Sequence, residues 1–191
     1  MRRFKVFIEP FIGMHRLVIC GAGHIALPLS VLGKILNYSV TIIDNRKEYA
    51  NKKRFPHVDQ ILVGPHAQKL AKIDIGPNTM IMIVTQGNEF DFECLKTVIL
   101  SEKSPYIGVI ASKAKRIKFE NRVKTEINIS QEQFNKIHIP AGIDIGAQTP
   151  EEIAISIMAE MIKIKNRYLL GADKFKERDK INFDMAENLN I

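Results

Sequence analysis

Leu17-Val18-Ile19-Cys20-Gly21-Ala22-Gly23-His24-Ile25-Ala26 decides the fold of this 191-residue chain. An apolar strand runs directly into Gly-x-Gly-x-x-Ala, and an apolar-periodic segment follows. In a dinucleotide-binding unit the first glycine permits the tight turn out of the strand, and the second lets the backbone approach a pyrophosphate. The small third residue, here Ala26, lets the helix lie close to the sheet. The phosphate then meets free N–H groups at the positive end of a helix.

The flanking sequence agrees with this reading. Leu27, Val31, Ile35 and Leu36 recur at helical spacing and predict one buried stripe, and Asn37 stands where a left-handed residue ends the helix. Ser39-Val40-Thr41-Ile42-Ile43 predicts a second buried strand ending in Asp44. Asp44 lies 44 − 23 = 21 positions after Gly23, close to the roughly 20-residue offset of a ribose-binding carboxylate. Further strands are predicted over 60–63, 79–84, 106–110 and 136–139, with helices over 90–100, 114–126 and 151–170. Residues 45–57 read as a polar loop with a turn or two of helix. This alternation predicts an α/β fold, a doubly wound parallel sheet of Rossmann-like type in a single domain. The domain spans 16–170, between an amino-terminal arm or linker (1–15) and a polar tail (171–191). Thr149-Pro150-Glu151-Glu152 carries the N-cap threonine, first-position proline and third-position glutamate of a capping box.

Composition narrows the function classes. An apolar content of 46% supports a real core, and no apolar run reaches the roughly 18 residues of a membrane helix. The basic start is interrupted by Glu9 and Pro10, against a signal peptide. Cys20 and Cys94 have neither disulfide-framework nor metal-type spacing, and both read as core. A cytoplasmic protein with no membrane partner is expected, in which the Asn128-Ile129-Ser130 acceptor triplet has no meaning. Net charge +7 favours anionic partners. The basic runs 113–124 and 163–180 read as solvated helix faces rather than the strip of a single-strand binder, so nucleic acid is not expected.

Ligands of parallel α/β sheets bind at the carboxyl ends of the strands. The candidate cofactor-binding residues are therefore Gly21, Ala22, Gly23, His24 and Ile25 after the first strand, and Asp44 and Arg46 after the second. Thr85 and Gly87 follow the fourth, Ser112 and Lys113 the fifth, and Asp144 the last. His24 reads equally as a polar residue at a helix start and as a group stacking on, or bonding to, a phosphate or pterin. Arg46 reads as a solvated cation or as a neutraliser of a 2′-phosphate, which leaves the dinucleotide type open. Ser112 and Lys113 open a basic helix as an anion site or a surface turn. Asp144 lies between Gly142 and Gly146 in a loop needing unusual backbone angles. Asp91 reads as a helix N-terminal acid. Catalytic residues are unassigned: there is no Gly-x-Ser-x-Gly elbow, His-Glu-x-x-His or P-loop, and no metal-ligand cluster.

Together these blocks resemble the carboxy-terminal Rossmann domain of the XdhC/CoxI family, the xanthine dehydrogenase accessory proteins. The resemblance runs through Leu17–His24, Val40–Arg46, Arg54-Phe55-Pro56, Val84–Gly87 with Asp91, and Tyr106–Lys113. It continues through Pro140–Ala147 and Thr149–Ala154, with Ser156, Ala159 and Glu160. It implies a cofactor chaperone rather than an enzyme. Such a protein binds molybdenum cofactor, assists its maturation with sulfur and delivers it to the apo-subunit of a molybdenum hydroxylase. A separate amino-terminal-type XdhC polypeptide or a sulfurtransferase is an implied partner, and a homodimer is expected through the 151–170 helix or the arm. Asn45, Gln86 and Ala111 depart from the family pattern, where a second acid, a basic or histidine residue and a glycine are usual. The alternatives are an NAD(P)-dependent oxidoreductase and a dinucleotide-sensing regulatory domain.

Overall fold

Leu17, Val18, Ile19 and Cys20 are all enclosed, because the strand that carries them has neighbours on both edges and helices on both faces. This strand, β1 (Arg16–Cys20), pairs in parallel with β2 (Ser39–Asp44) on one side and β4 (Thr79–Ile83) on the other. Adding β3 (Gln60–Val63), β5 (Tyr106–Val109) and β6 (Ile137–His138) gives a six-stranded parallel sheet in the order β3-β2-β1-β4-β5-β6. The order reverses between β1 and β4, so a crevice opens at their carboxyl ends, where doubly wound sheets bind ligands. The computed structural model describes residues 13–100, 103–127 and 129–170. Residues 1–12 of the predicted arm, Asn128 of the acceptor triplet and the 171–191 tail lie outside them.

Alternate side chains of each strand feed opposite cores. Leu17, Ile19, Val40, Ile42, Met80 and Met82 pack with α1 (Ala26–Ile35), α6 (Pro150–Leu170) and the loop residues Phe55 and Val58. Val18, Cys20, Ile81 and Ile83 pack with α2 (His66–Leu70), α3 (Asn88–Val98), α4 (Lys113–Glu126) and α5 (Gln131–Asn135). Phe92, Leu95, Val98 and Ile99 are buried as expected. The capping box of α6 is formed, with the Glu152 amide on Thr149 Oγ1 at 3.2 Å and the Thr149 amide on Glu152 Oε2 at 3.1 Å.

The expected buried stripe of α1 is corrected at two of its four positions, since Leu27 and Leu36 do pack against the core. Val31 is 41% and Ile35 68% exposed, while Ala26, Leu29, Ser30 and Gly33 face inward. Gly33 explains the rotation. A Cβ there would come within 3.0 Å of both Leu17 and Val40 side chains, so α1 approaches the sheet along its small residues. Asn37 takes φ +60 and ends the helix as expected. Residues 45–57 form a loop with two isolated helical turns, closed by the Ala50 amide on the Arg46 carbonyl at 2.9 Å and the Phe55 amide on the Asn51 carbonyl at 3.0 Å; the short α2 and α5 were not anticipated.

Candidate functional site

The glycine turn is fixed from both neighbouring strands. The Gly21 amide donates to Ile43 at 2.7 Å. Gly21 has φ +124, and a Cβ on it would strike the Val84 carbonyl oxygen, so only glycine suits the position. Gly23 is different: a Cβ there meets nothing within 4 Å. Its backbone borders open space, where a guest atom can approach. The amides of Gly23, His24, Ile25 and Ala26 have no hydrogen-bond partner among the described residues, and α1 carries neither a side-chain cap nor an acid in its first turn. Four such donors at the positive end of a helix favour an anion. His24 is exposed and Ile25 half-buried beside them.

Asp44 stands at the end of β2 with its side chain closed to solvent. Its Oδ2 accepts the Ala22 amide at 2.8 Å and Arg46 Nη2 at 2.9 Å; its Oδ1 accepts the Arg46 amide and Nε, both at 2.9 Å. Burial raises this carboxyl, but the Arg46 side chain, His66 and the two amides outweigh it and hold the group well below the usual carboxylate range. The acid expected to meet a ribose is thus engaged with protein donors, and Arg46 covers it. Arg46 also lies over the Tyr49 ring, 4.0 Å from its centroid.

Thr85 packs beside Gly21 and ties its loop to α3: its hydroxyl and amide donate to Asp91 Oδ1 at 2.6 and 3.0 Å, and the Gly87 amide donates to its hydroxyl at 3.4 Å. Asp91 is buried, and that burial raises its carboxyl above the ordinary value despite the Thr85 bonds. Asp91 therefore braces a loop.

Ser112 caps α4, accepting the Lys115 amide at 3.3 Å, and Lys113 is the first residue of that helix. Asp144 is exposed and accepts the Gly146 amide at 3.3 Å within a loop where Gly142 and Gly146 have φ +100 and +69, the backbone angles expected there. This loop walls a cleft of about 470 Å³ past the ends of β5 and β6, lined by Ile110, Ala111, Ile143, Ile145, Ile153 and others. The predicted residues thus form two groups along one sheet edge. Gly21–Ile25, Asp44, Arg46, Thr85 and Gly87 surround the turn, whereas Asp144 belongs to the cleft and Ser112 and Lys113 follow the strand end that borders it.

Three residues hold contacts that the sequence did not assign, although Arg54 and Glu160 stand among the blocks that carry the family resemblance. Glu160 of α6 accepts the Gly142 amide at 2.8 Å and Tyr106 Oη at 2.7 Å on one oxygen, while its other oxygen lies 3.0 Å from His138 Nδ1. An acid next to the buried Met161 on an otherwise inward helical stripe was the available signal. His66 is 3% exposed with both ring nitrogens unpartnered, its Nε2 3.8 Å from Asp44 Oδ2. Arg54 shares the Tyr49 ring with Arg46, at 4.9 Å. Neither of these last two had a signal in spacing. Among the described residues, no group of three His, Cys, Asp or Glu could hold a metal ion.

A family model for the XdhC Rossmann domain matches residues 17–161. The chain is 32% identical over 164 residues to the Escherichia coli K12 protein YqeB, covering 82% of this chain and 29% of that one. It is 29% identical over 163 residues to a probable xanthine dehydrogenase subunit of Bacillus subtilis 168, covering 85% and 47%. A crystal structure of a xanthine dehydrogenase from Bacillus halodurans aligns with TM-score 0.69 and 31% identity, over 80% of this chain and 43% of that one. The chain thus spans less than half the length of each.

Proposed function

Because the chain belongs to the XdhC Rossmann-domain family, we infer that it is an accessory protein that binds molybdenum cofactor and assists its insertion into a molybdenum hydroxylase. The observation that carries this reading is the pairing of unpartnered amides at Gly23–Ala26 with open space over Gly23. A phosphate fits that place. An apolar cleft of about 470 Å³ further along the same edge fits a flat heterocycle, with Ser156 and Asp144 among its few polar residues.

On this reading Gly23, His24 and Ile25 hold the phosphate of the guest, and Ala22 is kept in place by Asp44. Thr85 and Gly87 hold the adjoining loop. The 140–147 loop encloses the ring system and limits its contact with water. Bound there, the cofactor carries the molybdenum and dithiolene chemistry used by the recipient enzyme. The chain's own residues bind, orient and shield. The apo-form of the recipient, a separate amino-terminal-type XdhC partner or sulfurtransferase, a homodimer and a cytoplasmic setting belong to the same proposal. Among the described residues no helix is long and apolar enough to cross a membrane.

An NAD(P)-dependent oxidoreductase needs an acid or base beside the reacting ring. Of the four available groups, His24, Asp91, Lys113 and Asp144, Asp91 is bonded to Thr85 and Asp144 to the Gly146 amide; membership of the XdhC Rossmann-domain family favours the binding role. The test is to mix the full chain with molybdopterin released from a molybdenum enzyme and follow retention and transfer to a cofactor-free hydroxylase. The expected result is stoichiometric retention, lost in Gly23→Val. Turnover of a nicotinamide substrate by the chain alone, without pterin retention, overturns the proposal.

A further inference from the structure

At the end of β2 the usual partner of a ribose is missing from the surface. Both Asp44 oxygens are taken by protein donors and the side chain is closed to solvent. What the crevice presents there is positive. The Arg46 side chain is 26% exposed, and with Nε and Nη2 on Asp44 its Nη1 has no partner among the described residues. Arg54 lies over the same Tyr49 ring and has no carboxylate partner among the described residues. Lys47, Lys52 and Lys53 are exposed on this loop, and Glu48 is the only acid between 46 and 54.

A guanidinium already oriented by a carboxylate and an aromatic ring loses little freedom on meeting a second anion. Its planar fork suits phosphate better than a lysine does. In a doubly wound sheet the end of the second strand faces the ribose of the adenosine half, where an arginine accommodates a 2′-phosphate. Tyr49 and the guanidinium planes add a stacking surface for a purine.

We propose that the Arg46–Tyr49–Arg54 cluster is a binding site for a ribose 2′-phosphate, so that the crevice takes a 2′-phosphorylated adenine dinucleotide in preference to its unphosphorylated counterpart. The proposal rests on the reading of the glycine turn as the element that holds the guest's linking phosphates. Because that turn is shared, the dinucleotide and the pterin compete for it.

The experiment is equilibrium dialysis of the full chain with NADPH, NADH, 2′,5′-ADP and 5′-ADP, with released molybdopterin in a parallel arm. The 2′-phosphorylated member of each pair binds at least about tenfold tighter, the scale of one charge-assisted hydrogen bond. Arg54→Ala weakens NADPH more than NADH and so removes that preference, and added salt narrows it. Arg54 has no ion-pair partner among the described residues but lies 5.7 Å from the centroid of the buried Phe55 ring, so a thermal melt of Arg54→Ala accompanies its titration; Arg46→Lys, which keeps a cation beside Asp44, gives a second reading of the same preference. Equal binding within each pair, or a preference untouched by both variants, overturns the 2′-phosphate site and leaves the glycine-turn reading standing. Retention of molybdopterin without any dinucleotide does the same. Failure of every ligand overturns both.

Discussion

Asp44 accepts the Ala22 amide at 2.8 Å, joining the end of β2 to the glycine turn across 22 residues of sequence. The same carboxylate holds Arg46 by two side-chain bonds. The residue that spacing assigns to a ribose is therefore first of all a brace for the phosphate-binding backbone, and it fixes the orientation of the guanidinium beside it.

Asp44→Asn should lower stability at neutral pH by about 3 kcal/mol, the low end for breaking a buried ion pair. The carboxyl sits below its ordinary value in the folded chain. Its contribution is therefore complete above the unfolded value of about 4 and is lost as pH falls towards the folded one. Urea melts at pH 7 and pH 3 should show the gap between wild type and variant closing at the lower pH. A gap of constant size would show that the charge is not what stabilises.

Asp91 behaves in the opposite sense, since burial raises its carboxyl. With the folded value above the unfolded one, stability falls as pH rises through that window. Asp91→Asn keeps an acceptor for the Thr85 amide and hydroxyl and removes a buried charge. The variant should be at least as stable as wild type at pH 7, and wild type should gain on it as the pH is lowered. A large loss of stability at pH 7 would mean that the ionised form is required.

The sheet was legible because each buried strand is a short apolar run set off by glycine, proline or polar punctuation, and because the turn from Gly21 to Ala26 fixes what precedes and follows it. The face of α1 was misread for a physical reason. Large side chains at Val31 and Ile35 suggest the buried stripe, but Ala26, Ser30 and Gly33 are what permit contact with the sheet. Helices of five residues such as α2 and α5 carry too few turns for a period to appear. At the site, offset alone found Asp44. Its occupancy by Arg46 depends on side-chain reach, and the Glu160 contacts depend on three distant elements meeting; neither is written in spacing.

The two glycines of the turn should separate folding from binding. Gly21→Ala meets the Val84 carbonyl at a backbone angle that L-residues avoid and should cost about 3 kcal/mol or prevent folding. Gly23→Val projects into open space and should change stability by less than about 1 kcal/mol while abolishing ligand binding. Thermal melts of both, with a binding titration of the second, check this. A Gly23→Val protein that binds as well as wild type would exclude the turn as the phosphate site.

Glu160 controls the cleft from the opposite side. It joins the Gly142 amide, Tyr106 Oη and His138 Nδ1, and the Tyr106 and His138 rings stack at 4.5 Å. Burial raises its carboxyl, but these partners outweigh that and hold it below its ordinary value. The anchorage is therefore complete at neutral pH and weakens as pH falls below about 4. Glu160→Ala leaves the hydroxyl of the buried Tyr106 and the Gly142 amide without an acceptor and should cost about 2 kcal/mol. Tyr106→Phe removes one bond and should cost about 1 kcal/mol. Since the 140–147 loop walls the cleft, Glu160→Ala should also speed exchange of the Gly142 amide and weaken binding of the ring system, with the glycine turn intact. Unchanged Gly142 exchange in that variant would mean that Ser156, whose hydroxyl donates to the Ile143 carbonyl at 2.5 Å, and the Ala141 amide on the Val109 carbonyl hold the loop without Glu160.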